Sequence, residues 1–148
     1  MKILMVCLGN ICRSPLAHGI MEHLIQQAQL PWVVDSAGTG SWHVGESPDR
    51  RAIAVAKNHG IDIRTQKAQH FQAHHFTSYD LILVMDQQNR TDVCALAPTA
   101  EYKHKVQLFL GDSNVPDPYY DDSLFEPVYQ LIVARCIYLL QQLQQEHI

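Results

Sequence analysis

Residues 3–15 read Ile3-Leu4-Met5-Val6-Cys7-Leu8-Gly9-Asn10-Ile11-Cys12-Arg13-Ser14-Pro15. The opening run, Ile3 to Val6, is apolar without alternation, as expected of a strand covered on both faces in a parallel sheet. Gly9 and Asn10 follow, the two residue types that best tolerate left-handed backbone, and they predict a tight loop. Pro15 suits the first turn of a helix, where its missing N–H costs nothing, and Ser14 reads as the N-cap. Leu16, Ile20, Leu24 and Ala28 then recur at helical spacing, with Met21 and Ile25 widening the stripe.

The same alternation continues outward. Trp32-Val33-Val34, flanked by Pro31 and by Ser36-Ala37-Gly38, predicts a second strand. Leu81-Ile82-Leu83-Val84-Met85 predicts a third, and Lys105-Val106-Gln107-Leu108 a weaker fourth. Between them, Ser47-Pro48 signals a helix through Ala52-Ile53-Ala54-Val55-Ala56 that Gly60 stops. Another follows Asp86, from Gln87 to Leu96, before Pro98. In the last helix Leu124, Val128, Leu131, Ile132, Cys136, Leu139, Leu140 and Leu143 form one apolar face. Strands alternating with helices predict one α/β domain over residues 1–148 with a parallel sheet. Such sheets bind ligands beyond the carboxyl ends of their strands, where the loop from Cys7 to Arg13 falls.

Composition narrows the classes of function. A chain of 148 residues, 47% of them hydrophobic, builds an ordinary single core. No apolar run is long enough to cross a bilayer, and Gly9 and Asn10 interrupt the N-terminal one before it could act as a secretory signal. The cysteines, Cys7, Cys12, Cys94 and Cys136, are too few and scattered for a disulfide framework, so a reducing cytoplasmic setting is expected. A net charge of −4 with no basic cluster argues against nucleic acid or membrane as a partner. His70, His74 and His75 are close in sequence, but no second ligand group stands at a recognised spacing, so they read as an exposed polar segment and no metal is expected. His18 and Glu22 read as a helix-surface pair.

A loop between strand end and helix start can turn successive N–H groups toward one point, where the helix dipole also favours an anion. Arg13 adds two parallel donors suited to two phosphate oxygens. The same field favours the thiolate of Cys7, the form that attacks phosphorus. A leaving oxygen then needs a proton. Val115-Pro116-Asp117-Pro118-Tyr119-Tyr120-Asp121-Asp122 offers three carboxylates in a proline-stiffened turn, and residue type alone does not choose among them. Trp42, Tyr119 and Tyr120 are candidate aromatic walls for a flat ring.

Cys7 to Pro15 resembles the phosphate loop of the low-molecular-weight protein tyrosine phosphatases. The resemblance extends through Asp35-Ser36-Ala37-Gly38-Thr39, Asn58-His59-Gly60-Ile61, Asp80 to Asp86, and Asp117-Pro118-Tyr119-Tyr120. It implies a four-stranded parallel sheet flanked by helices on both faces, flavodoxin-like, and hydrolysis of phosphotyrosine through a cysteinyl-phosphate with no cofactor. By that resemblance Cys7 is the nucleophile, Arg13 the phosphate clamp and Asp117 the general acid and base. Leu8, Gly9, Asn10, Ile11, Cys12 and Ser14 surround the phosphate. Ser14 donates to the thiolate, and Asn10 holds the turn with help from Ser36. Leu8, Trp42, Tyr119 and Tyr120 line the entrance. Cys12 is implied as a reversible disulfide partner of Cys7. The implied partner is a phosphotyrosine protein, such as a bacterial tyrosine kinase of polysaccharide export, met by a monomer or weak homo-oligomer.

One stretch departs from the family pattern, which carries a His and then an Ala-Arg pair after Gly60-Ile61. Here Asp62-Ile63-Arg64-Thr65-Gln66-Lys67-Ala68-Gln69 stands instead, and Gln66 or Thr65 is expected to replace the His as the brace of the loop asparagine. A thiol-dependent arsenate reductase shares fold and loop but needs two further cysteines close together. Cys94 and Cys136 lie far apart and read as packing residues. A non-catalytic phosphopeptide-binding relative would lack the nucleophile or the acid.

Overall fold

In the computed structural model, which describes residues 1–146, Lys2–Cys7 forms β1, Val33–Gly38 β2, Leu81–Val84 β3 and Val106–Leu108 β4. All pair in parallel in the order β2-β1-β3-β4, as the continuous apolar runs predict. The helices are α1 (Arg13–Gln27), α2 (Arg50–Asn58), α3 (His75–Ser78), α4 (Gln87–Cys94) and α5 (Phe125–Glu146).

Alternate residues of each strand feed opposite faces. Ile3, Met5, Leu81 and Leu83 pack toward α1, α2 and α5, while Leu4, Val6, Ile82 and Val84 pack with Phe71, Phe76 and Val93 on the other side. Both faces of the sheet are therefore dry. The apolar stripe of α5 is buried through Val128, Ile132, Cys136, Leu139, Leu140 and Leu143. Against the expectation from the sequence, the Asp122–Glu146 segment is long and apolar enough by composition to cross a bilayer. One face of it packs against the domain, while Leu131, Ile137 and Tyr138 stay exposed.

Several boundaries differ from the sequence reading: α2 starts at Arg50 rather than at Ser47-Pro48, α4 ends at Cys94 rather than Leu96, and two further shifts bear on the site. β2 runs on through Ser36, Ala37 and Gly38, which pair in register with Met5, Val6 and Cys7. Small residues are required there because a Cβ on Gly38 would stand 2.9 Å from the Leu8 carbonyl oxygen and 3.1 Å from the Asn10 nitrogen. α1 begins at Arg13 with Cys12 as its N-cap, so Ser14 lies inside the helix and its hydroxyl is free for another task. The N-caps of α2 and α4 are Asp49 and Asp86, whose carboxylates accept from Arg51 N–H and Asn89 N–H.

Candidate active site

β1 ends at Cys7, beside β3, at the point where the chain's strand order reverses and a crevice opens. The Cys7 side chain is buried among the turns of the loop that follows. Thr39 N–H donates to the Cys7 carbonyl and Gly40 N–H to that of Leu8, so the chain leaving β2 holds the loop's first half. Asn10 takes the left-handed conformation at φ 57°, which reverses the backbone and aims its N–H at Cys7 Sγ, 3.3 Å away.

Ser14 Oγ lies 3.0 Å from the same sulfur. It also accepts from Asn10 Nδ2 at 2.8 Å, which leaves its hydroxyl hydrogen to donate to Cys7. The sulfur thus faces two donors, the arrangement a thiolate needs. Cys12 is also buried. Burial, then Asp49, Cys7 and Asp117, push its thiol far above the ordinary range, so it stays protonated.

Arg13 is almost wholly buried, and its Nη1 donates to Asp86 Oδ2 at 2.8 Å and to the Val115 carbonyl at 3.1 Å. Burial alone would lower its pKa. The Cys7 sulfur, the hydrogen bond to Asp86 and the charge of Asp117 outweigh that and raise it, so the cation is secure. Its Nη2 points toward Asp117 Oδ2, 3.7 Å distant. Asp117 is one-third exposed, and its Oδ1 accepts from Tyr119 N–H. The other two carboxylates are engaged elsewhere: Asp121 caps Ser123, and Asp122 pairs with Arg51 at 2.6 Å. Of the three, Asp117 is the one that lines the cleft.

That cleft, of about 300 Å³, is walled by Leu8, Trp42, Tyr119 and Tyr120 and floored by Cys7, Gly9, Ile11, Cys12 and Arg13. Tyr119 and Tyr120 meet edge to face at 5.0 Å. Trp42 and Tyr120 are 71% and 88% exposed, so their rings offer apolar surface that a flat substrate ring could cover. The Arg51 guanidinium lies 5.3 Å from the Tyr119 ring centre and 4.6 Å from that of Phe125, tying this wall to α2 and α5.

Several supports escaped the sequence reading. His43 lines the cleft and pairs with Glu46, and nothing in its neighbourhood marked it. Asp86 was legible only as a helix start. Among the described residues Ser36 makes no hydrogen bond to Asn10. Its hydroxyl meets His18 Nδ1 at 3.1 Å and its carbonyl accepts from Gln69 Nε2, so its help is indirect. Nor does Gln66 or Thr65 replace the family histidine at Asn10. Gln66 Nε2 reaches the Pro15 carbonyl, while Asn10 Oδ1 accepts from the backbone N–H of Gln69. His18 is nearly buried rather than on the surface, and His75 is fully buried rather than in an exposed segment. Cys136 is buried and Cys94 half-buried against the core, as packing residues should be.

Residues 2–148 match the model of the family described as low molecular weight phosphotyrosine protein phosphatase. The slr0328 protein of Synechocystis sp., whose name places it among the low molecular weight protein-tyrosine-phosphatases, is 45% identical over 99% of this chain and 98% of its own. A crystal structure of an Entamoeba histolytica protein tyrosine phosphatase with Hepes in its active site superposes with a TM-score of 0.92 at 33% identity, covering 100% of this chain and 99% of that one. Vibrio vulnificus Wzb in complex with benzylphosphonate superposes with a TM-score of 0.86 at 33% identity, over 95% of this chain and 97% of that one.

Proposed function

The chain belongs to the low molecular weight phosphotyrosine protein phosphatase family, and on that premise we propose that it hydrolyses phosphotyrosine by covalent catalysis at Cys7. The observation that carries this reading is the sulfur that faces Asn10 N–H and the Ser14 hydroxyl, with Arg13 fixed beside it and Asp117 across the cleft.

In the first step Cys7 Sγ attacks phosphorus opposite the phenolic oxygen. A sulfur–phosphorus bond forms, the phosphorus–oxygen bond to the ring breaks, and Asp117 gives its proton to the leaving phenolate. Arg13 and the loop's N–H groups hold the equatorial oxygens, on which the charge gathers. Asp117, now ionised, takes a proton from water, whose oxygen attacks the phosphocysteine and releases inorganic phosphate and the Cys7 thiolate.

Phosphotyrosine fits better than phosphoserine because only a phenyl ring reaches from the buried loop to the Trp42, Tyr119 and Tyr120 walls. The benzylphosphonate in Wzb, a phenyl ring one carbon from a phosphonate, has the same shape. Phosphate release from matched phosphotyrosine and phosphoserine peptides, with and without chelator, tests the reading. Fast release from the first, slow from the second and no effect of chelator is expected; equal release from both would overturn the assignment.

Within this reading the physiological substrate is a bacterial tyrosine kinase of polysaccharide export, the partner the family resemblance implies, met in the cytoplasm where the free cysteines persist. Cys12 takes the redox role. When peroxide converts Cys7 to its sulfenic acid, the Cys12 thiol gives up its proton to the departing hydroxyl as its sulfur attacks Cys7 Sγ; the Cys7 sulfur–oxygen bond breaks, and a disulfide and water result.

A further inference from the structure

Gln69 stands where the sequence departs from its family, and all four of its hydrogen-bonding groups are engaged. Its N–H donates to Asn10 Oδ1 at 3.0 Å, and its carbonyl accepts from Gly38 N–H at 2.8 Å. Its Nε2 donates to the Ser36 carbonyl at 2.9 Å, and its Oε1 lies 3.3 Å from His75 Nε2. His75 Nδ1 accepts from Gln72 N–H at 2.9 Å, which puts the ring hydrogen on Nε2, where it donates to Gln69. The His75 ring is 3% exposed and stacks on Phe71 at 5.2 Å, so it has one orientation.

From Asn10 the bonds continue without a gap, through Nδ2 to Ser14 Oγ and from the Ser14 hydroxyl to Cys7 Sγ. Asn10 sits in the left-handed backbone conformation that reverses the loop. Its side chain is anchored at one end by Ser14 and at the other by Gln69. The residues around Gln69 join β2 as a short parallel extension, with Gly38 bridged to His70 and Phe71 N–H donating to the Gly38 carbonyl. Strand pairing sets the height of the Gln69 N–H, and the side chain fastens that extension to β2 and α3.

We propose that Gln69, held by His75, is the positioning residue that braces the phosphate loop of this chain through Asn10. The proposal rests on the phosphatase reading for its consequence in turnover. A glutamine is the side chain of this length that presents a donor to Ser36 and an acceptor to His75. Glutamate would set an anion against a carbonyl, and lysine or arginine would leave His75 without an acceptor. Gln69 touches no reacting atom, so its effect falls on the placement of Cys7.

The test compares Gln69→Met, His75→Leu and His75→Gln with the unaltered chain. Gln69→Met keeps length and volume but loses both side-chain bonds. Its kcat on a phosphotyrosine peptide should fall about tenfold with little change in KM, in keeping with the cost of a misplaced reacting group. Alkylation of Cys7 by iodoacetate should slow in parallel, a readout that needs no substrate and that protonated Cys12 does not obscure. His75→Leu should lower both rates severalfold, whereas His75→Gln, which can still donate to Gln69, should restore most of them. Melting curves show that each variant is folded, and if Gln69→Met is not, the His75 pair decides. Unchanged kcat and alkylation in the folded variants would overturn the brace. Failure of the unaltered chain to release phosphate would instead overturn the phosphatase reading, and the alkylation rates would still judge the brace.

Discussion

Replacing Asp86 with alanine tests how the clamp is held. Its Oδ2 accepts from Arg13 Nη1 at 2.8 Å, and its Oδ1 accepts from Asn89 N–H at 2.8 Å as the N-cap of α4. A hydrogen bond between charged groups contributes about 1.5–3 kcal/mol, and losing a cap acceptor costs about 1 kcal/mol. Asp86 is 22% exposed, so water makes up part of the loss and the lower end of the first range applies. The sum is about 2.5 kcal/mol, which for a chain of this size lowers the melting temperature by about 5–10 °C. Arg13 keeps the Val115 carbonyl but loses its fixed direction, so kcat/KM on an aryl phosphate should fall by about 10²-fold. Asp86→Asn keeps Oδ1 as the acceptor for Asn89 N–H but turns an NH2 donor toward Arg13, so it should regain the cap's share of about 1 kcal/mol and none of the lost turnover. Thermal melting by circular dichroism and steady-state kinetics read both effects. A melting point within about 2 °C of the parent and kcat/KM within about twofold, both inside ordinary surface-substitution limits, would refute the idea that Asp86 holds Arg13.

Three further outcomes are expected. Gly38→Ala forces a Cβ against the Leu8 carbonyl, so the loop must shift; stability should drop by about 1–3 kcal/mol in denaturant titration, with activity falling further than stability explains. Cys12→Ser should make peroxide inactivation irreversible by thiols, measured as the fraction of each protein's own starting activity recovered after reduction. Burial holds the His18 and His75 pKa values below the ordinary 6.5, against Asp35 and Glu22 at His18, and with His74 adding to the effect at His75. The unfolded chain therefore binds more protons than the folded one once the pH drops below 6.5. Stability should be flat above that point and fall on acidification toward the carboxylate range, and His75→Gln should shallow the slope in melts across pH.

Much of the architecture is legible because burial on both sheet faces demands uninterrupted apolar runs, and β1 and β3 carry them. α5 is legible from its stripe. β2 reads short because Ser36, Ala37 and Gly38 signal a turn by composition, whereas in the fold their smallness lets the phosphate loop pack against the strand. Ser14 looks like a cap for the same kind of reason. Its hydroxyl serves the sulfur instead, a contact that exists only once the loop has closed. Asp117, Asp121 and Asp122 are equivalent as letters, and only the fold turns one into the cleft and gives the others to Ser123 and Arg51. His75 lies in a helix of four residues, too short for periodicity to reveal its buried face.

The account turns on a covalent bond between Cys7 and the phosphoryl group, and acid-quenched turnover with a radiolabelled phosphotyrosine substrate tests it most directly. Label should be found on the peptide that contains Cys7 and should be absent from Cys7→Ser. Undiminished phosphate release by Cys7→Ser, or label on another residue, would contradict it.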